Sequence, residues 1–222
     1  MPVIAMLSLT EENYLKTIYH LSDGGQQTGL TNALAEAMNT KAASVTDMIK
    51  KLSQKELIQY EKYHGVQVTG KGKTEALAIV RKHRLWETFL VSKLGFRWDE
   101  VHDVAEQLEH IQSPRLIEQL DEFLGFPQVD PHGDPIPDGK GKLRTPPQVA
   151  LDKAPVGYEG SILAVKSNDP QLLQYLDKIG AVPGKRVKVL SRERYDDSLE
   201  VNIERKQHFI SREVSQNILV SA

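Results

Sequence analysis

The sequence predicts a mainly α-helical protein with a smaller β part, and three observations carry that expectation. Apolar residues recur at three- and four-residue intervals as far as Leu124, the period of helices with one buried face. A stretch rich in Pro, Gly and Asp follows, from Phe126 to Pro147. Beyond it the pattern changes to short apolar runs bounded by turn residues, as strands require. A chain of 222 residues is long enough for one to three domains with real cores.

In order, Ser8-Leu9-Thr10-Glu11 reads as a capping box, in which hydroxyl and carboxylate close the start of a helix. Tyr14, Leu15, Ile18, Tyr19 and Leu21 mark the apolar face of that helix, and Asp23-Gly24-Gly25 ends it. A second helix runs from about Leu30 to Met38, with Leu34, Ala35 and Met38 turned inward. Asn39-Thr40 supplies a turn and an N-cap for a third helix, Ala42 to about Lys55, which buries Val45, Met48, Ile49 and Leu52. Leu57 to Tyr60 and Val66 to Val68 alternate as strands around Lys62-Tyr63-His64-Gly65, a hairpin. Three short helices closed by a hairpin make a winged helix-turn-helix, here residues 1–73.

Charge divides the chain. The formal net charge is −2, so any attraction for nucleic acid must be local. Glu36 to Lys73 holds seven Lys against four Asp plus Glu, a local +3. His83 to Leu124 holds four basic and nine acidic residues, a local −5. Once the core positions of the third helix are assigned, Lys41, Ser44, Thr46, Asp47, Lys50 and Lys51 remain as candidates for DNA contact. Ser, Thr and Asp can meet base edges, and Lys meets phosphate. An ordinary polar helix face and a protein-binding trihelical module are the other readings of the same residues.

Gly70-Lys71-Gly72 punctuates the chain, and Thr74 to Leu94 reads as a long helix. It sets His83 and Glu87 one turn apart. On a second helix, Val101 to about His110, the residues His102, Glu106, Glu109 and His110 fall at intervals that share one face. Imidazole nitrogen with carboxylate oxygen suits Mn, Fe, Zn, Co or Ni better than Ca or Mg. A solvated polar face explains either cluster alone; the pair makes metal the working reading. Pro114 to Leu124 adds a helix with the stripe Leu116, Ile117, Leu120 and Leu124. Apolar positions Leu77, Val80, Leu85, Phe89 and Leu90 exceed the needs of so small a bundle, which predicts a homodimer interface in residues 74–140.

His132 lies in the Pro/Gly segment and is expected to serve the turn, with metal binding the minor alternative. Residues 141–156 read as a linker. Residues 157–222 hold strand-like runs at 161–165, 186–190, 199–203 and 217–220, with one helix near 172–179. That number and length suggest a small SH3-like barrel. No cysteine is present, which removes disulfides, thiolate ligands and thiol nucleophiles. The N-terminal residues lack the basic region of a signal peptide, and no apolar run reaches membrane-spanning length. A soluble cytoplasmic protein, with no membrane partner and no small organic substrate, is therefore expected.

These residues carry a resemblance along nearly the whole chain. Glu12-Asn13-Tyr14-Leu15-Lys16-Thr17-Ile18-Tyr19, Val68-Thr69-Gly70-Lys71-Gly72, Arg81-Lys82-His83-Arg84-Leu85-Trp86-Glu87, the run from Val101 to His110 and Pro131-His132-Gly133-Asp134-Pro135-Ile136-Pro137 together resemble the diphtheria toxin repressor family of metal-dependent transcriptional regulators. The resemblance implies a repressor rather than an enzyme, a homodimer on a double-stranded DNA operator, and Mn(II) or Fe(II) as effector. It implies an activating metal site at Asn13, Glu106, Glu109 and His110. A second site would use His83, Glu87 and His102, helped by Asn168 or Gln171. Metal at the activating site would fix the spacing of two reading heads on successive major-groove turns, roughly 34 Å apart. Two departures stand out. Asn13 replaces the family's Met or Asp, and Lys16 replaces a Glu of the manganese-sensing relatives, which argues against closely paired metals. Glu106 stands where iron-sensing members place Cys and favours an oxygen-rich site. Two other classes fit part of the pattern: a metal-independent winged-helix regulator, and a helical-bundle metalloenzyme, for which only Glu106/Glu109/His110 approaches the usual spacing.

Overall fold

The computed structural model describes residues 7–22, 31–61 and 65–222. The expected end of the first helix at Asp23-Gly24-Gly25 and the tip of the hairpin at Lys62-Tyr63-His64 lie outside these residues. Contacts divide the chain into two compact units. One takes in residues up to His83 with Glu109–Gln112 and Pro137–Lys142; the other comprises Arg84–Leu108, Ser113–Ile136 and Leu143–Ala222.

The first unit begins with α1 (Leu9–Leu21), whose capping box forms as expected: the Ser8 hydroxyl accepts from the Glu11 N–H, and the Glu11 carboxylate from the Ser8 N–H. Leu15 and Ile18 are fully buried. Next come α2 (Thr31–Ala37) and α3 (Ala42–Gln54), which bury Leu34, Val45, Ile49 and Leu52. Met48 and Met38 are only half-buried. The cap of α3 departs from expectation. Lys41, not Thr40, is its N-cap, and no side chain bonds the free amides there. Strands β1 (Ile58–Glu61) and β2 (Gly65–Val68) pair antiparallel, Ile58 opposite Val68, as the wing hairpin.

The long helix α4 starts at Gly70 and runs to Leu94, so Gly70-Lys71-Gly72 is its first turn rather than a break before it. The Thr69 hydroxyl accepts from the Gly72 N–H at 3.0 Å and does the work of a cap. Glycine is needed at 72 because a Cβ there would lie 1.9 Å from the Leu57 carbonyl oxygen. The helix therefore packs directly on the start of the wing.

Leu77, Val80, Leu85 and Leu90 of α4 are buried within the chain itself, contrary to the expected surplus; only Phe89 stays half-buried. In the helical part of the second unit Leu94, Leu116, Phe123 and Phe126 are among the uncovered apolar side chains. Helix α5 is short, His102–Leu108, and Glu109 and His110 lie in the turn after it. The single helix face expected for His102, Glu106, Glu109 and His110 therefore does not exist. Helix α6 (Pro114–Phe123) is capped by Ser113 and carries Pro at its first turn, where a missing N–H costs nothing. Ile117 and Leu120 are its buried residues, whereas Leu116 of the expected stripe is exposed.

The C-terminal part is a six-stranded antiparallel sheet in the order β3-β8-β4-β5-β6-β7. Its strands are β3 (Gln148–Ala150), β4 (Glu159–Val165), β5 (Arg186–Arg192), β6 (Leu199–Ile203), β7 (Lys206–Ile210) and β8 (Ile218–Ser221). Register shifts between Ile162 and Ala164 and between Val189 and Ser191 mark the irregularities that bend such strands. β6 alternates strictly, burying Leu199, Val201 and Ile203 in the core. Two α-helices belong to this part, α7 (Pro170–Ile179), capped by Asp169, and α8 (Arg212–Ser215), with a 3-10 turn at Leu151–Lys153. β3, β7 and α8 escaped the sequence because each is short or polar. Among the described residues no helix is long and apolar enough to cross a membrane.

Candidate metal centres and nucleic-acid face

In the first unit the chemistry gathers where α1 meets the turn after α5. Glu109 is completely buried. The Lys16 ammonium donates to its Oε1 at 2.7 Å and its Oε2 at 2.8 Å, and His83 Nδ1 lies 2.6 Å from Oε2. Burial works to raise the Glu109 pKa, but the His83 hydrogen bond and the Lys16 charge outweigh it and hold the carboxyl below its usual value. His110 Nδ1 lies 2.5 Å from Oε2 of Glu12, and Gln112 Nε2 donates to Oε1 of Glu12 at 2.7 Å. The Lys82 ammonium is 3.6 Å from the same carboxylate.

Of the expected activating set, Glu109 and His110 stand side by side in this turn, and their close partners on α1 are Lys16 and Glu12. Asn13 contributes differently: its Oδ1 is buried without a hydrogen-bond partner. A buried carbonyl oxygen left unpaired is costly and is the kind of atom a cation satisfies. Glu106 falls in the second unit. Glu12 escaped the sequence reading. The available signal was two charged residues, Glu12 and Lys16, one turn apart beside the apolar positions Leu15 and Tyr19.

In the second unit Glu87 is the centre. His102 Nδ1 lies 3.3 Å from its Oε1 and His132 Nδ1 3.4 Å from its Oε2. The Nε2 of His102 is also 3.6 Å from Glu106, and Asn168 Nδ2 is 3.5 Å from His102 Nδ1. Gln171 is exposed; its backbone N–H donates to Asp169 at the start of α7.

His132 lies in the turn expected of it, and its side chain has a second role. It is buried and stacked on Trp98, and its Nε2 bonds the Trp98 carbonyl at 2.7 Å. Gly133 holds this loop against β4, since a Cβ there would lie 1.9 Å from the Leu163 carbonyl oxygen. Burial disfavours the charged imidazole, yet the Glu87 hydrogen bond and the charges of Glu87 and Asp130 carry His132 to about 8. Asp130 accepts from the N–H groups of His132 and Asp134, and Arg84 lies 3.5 Å away. Burial, with the charges of Asp134 and Glu87, nevertheless raises its carboxyl. Glu87, Asp130 and His132 each offer a ligand atom, all within 4.8 Å of one another. Their oxygen and nitrogen donors fit a divalent transition metal.

On α3 the six candidates for DNA contact, Lys41, Ser44, Thr46, Asp47, Lys50 and Lys51, are all exposed, opposite the buried Val45, Ile49 and Leu52. Thr46 donates back to the Ala42 carbonyl at 2.9 Å, and Lys50 pairs loosely with Asp47 at 3.4 Å. Neither contact removes these groups from solvent.

Family models of a DNA-binding region and of a metal-binding region both match the chain. Residues 6–66 match the family described as iron dependent repressor, N-terminal DNA binding domain. Residues 69–138 match iron dependent repressor, metal binding and dimerisation domain, and residues 149–222 match the FeoA domain. The iron-dependent repressor IdeR of Mycobacterium tuberculosis (strain ATCC 25618 / H37Rv) is 32% identical over 193 residues, covering 81% of this chain and 83% of the relative. The diphtheria toxin repressor of Corynebacterium diphtheriae is 34% identical over 128 residues, 58% of this chain and 56% of the relative. A solved manganese-dependent transcriptional repressor in complex with manganese superposes with a TM-score of 0.86 at 39% identity, covering 96% of this chain and 99% of its own. ScaR with bound Cd2+ gives 0.79 at 30% identity, over 95% and 98%. With the DNA-binding, dimerisation and FeoA regions matched in sequence order, the chain belongs to the iron-dependent repressor family.

Proposed function

We propose that this protein is a cytoplasmic, homodimeric repressor that binds an operator in double-stranded DNA when it holds Mn(II) or Fe(II). It acts as a regulator and not as an enzyme. The observation that carries the reading is α1. Its buried side builds the winged helix-turn-helix, and Glu12 and Lys16 on the same helix are tied to His110 and Glu109.

The activating site is read as Asn13, Glu106, Glu109 and His110, supported by the buried, unpaired Asn13 oxygen and by the adjacency of Glu109 and His110. The second is read as His83, Glu87 and His102, helped by Asn168 or Gln171; Asn168 Nδ2 lies 3.5 Å from His102 Nδ1. The domains are read as residues 1–73, 74–140 and 157–222 with 141–156 as the connection, from whose second half β3 joins the C-terminal sheet. Lys41, Ser44, Thr46, Asp47, Lys50 and Lys51 form the DNA-facing side of α3.

A bound divalent ion supplies charge that offsets the acidic cluster. The protein's own groups do the rest. Glu109 and His110 hold the turn after α5, Asn13 offers an oxygen from α1, and the rigidity of α1 carries any displacement to α3. The ligand is then an effector in the thermodynamic sense, bound better by the DNA-competent arrangement. Metal-free protein should be titrated with Mn(II), Fe(II), Zn(II) and Co(II) against a duplex selected from genomic fragments. Tight binding with Mn(II) or Fe(II), reversed by chelator, supports the reading. Equal binding with and without chelator contradicts it.

A further inference from the structure

Lys16 is a buried lysine, and its ammonium spans both oxygens of a fully buried carboxylate, Glu109, at 2.7 and 2.8 Å. His83 Nδ1 occupies a further position on Oε2 at 2.6 Å. A carboxylate offers about four lone-pair positions, so three of those on Glu109 are taken. A divalent ion on the same oxygens sits about 2.0–2.2 Å away, closer than the ammonium does. A single and a double positive charge would then lie within a few ångströms of each other, where their repulsion far exceeds thermal energy even in a polar interior. The two cations therefore compete for Glu109.

We propose that the Lys16 ammonium is a resident cation on Glu109 that an incoming metal ion must displace, so that Lys16 sets how much metal the activating site requires. The proposal rests on the reading of Glu109 as a metal ligand. Lysine suits the task because its point charge and flexible stem let it leave a carboxylate without moving the backbone of α1. The pair also keeps Glu109 from standing as a lone buried charge in the metal-free protein, a state that costs folding stability. Lys16 thus stabilises the empty site and opposes its filling.

The test measures Mn(II) affinity of the metal-free full chain by calorimetric titration, with the denaturant midpoint of each metal-free protein measured in parallel. Lys16→Met removes the charge. Lys16→Gln removes it while keeping a donor for Glu109, and so guards against loss of folding. Both should bind Mn(II) at least tenfold more tightly than wild type, about 1.4 kcal/mol, and should unfold at lower denaturant when metal-free. Lys16→Arg, which keeps the charge, should stay within about threefold of wild type or bind more weakly. Glu109→Gln separates the two levels of the argument. If it binds Mn(II) like wild type, Glu109 is not a ligand and both readings fall. If it loses binding while Lys16→Gln and Lys16→Met bind no more tightly than wild type, Glu109 is a ligand but Lys16 is no competitor.

Discussion

His110 and Glu12 are 98 residues apart in sequence, yet His110 Nδ1 lies 2.5 Å from Oε2 of Glu12. Glu12 is buried and also takes a hydrogen bond from Gln112, with the Lys82 ammonium 3.6 Å away. Replacing it by Gln keeps the shape and removes the charge that three partners face. Glu12→Gln should cost about 1–3 kcal/mol of stability in the metal-free protein. The check is the denaturant midpoint at constant slope; an unchanged midpoint would mean that this cluster does not hold α1 in place.

The exposed side of α3 makes a separate prediction about DNA. Lys50→Ala should weaken binding to all duplexes alike and reduce the slope of log affinity against log salt by about one, as for a single phosphate contact. Its exposed pairing with Asp47 at 3.4 Å does not prevent this. An unchanged slope would place Lys50 off the DNA backbone.

Phe123 is 63% exposed, with its ring centroid 6.1 Å from that of Phe89 and the Lys93 ammonium 5.5 Å from its own ring centroid. Leu94, Leu116 and Phe126 are also uncovered in this unit. Wild type should sediment as a dimer at micromolar concentration and Phe123→Glu as a folded monomer, because a buried unpaired carboxylate is expensive. A dimeric Phe123→Glu would locate the subunit contact elsewhere.

Asp99 provides a pH test away from the metal ligands. Burial opposes its ionisation, but hydrogen bonds from Gln174 at 2.8 Å and Arg97 at 2.9 Å hold its pKa below the usual 3.8. Its stabilising contribution is therefore complete above about pH 3.8 and lost as the pH falls through the lower, folded value. Asp99→Asn should cost about 1 kcal/mol at neutral pH, and the difference from wild type should vanish toward pH 2. A difference that persists there would mean that the charge of Asp99 contributes nothing.

Much of this was legible in the sequence. The capping box at Ser8, the three helices and hairpin of the reading head, and four strands of the sheet follow from local patterns. Their signals, period and cap chemistry, are written within a few residues. The errors arose where tertiary packing decides. Gly72 reads as a helix breaker, but the close approach of Leu57 demands glycine inside a helix. The spacing of His102, Glu106, Glu109 and His110 suggests one helix face, but the helix stops at Leu108. Leu77, Val80, Leu85 and Leu90 looked surplus because composition does not show what a chain can cover with itself. His132 does sit in its expected turn, but nothing local reveals Trp98 and Glu87 beside its ring. The link from Lys16 to Glu109 spans 93 residues and has no local signature at all.

The central claim is that metal read at Asn13, Glu106, Glu109 and His110 controls DNA binding, while metal read at His83, Glu87 and His102 supports it. Its most direct test is a Mn(II) titration of a labelled operator with wild type, Glu106→Ala and His83→Ala, all confirmed as folded dimers. Glu106→Ala should lose metal-dependent DNA binding, and His83→Ala should need more metal yet still respond. Loss of all response in His83→Ala, with Glu106→Ala titrating like wild type, would contradict the account and reverse the roles of the two sites.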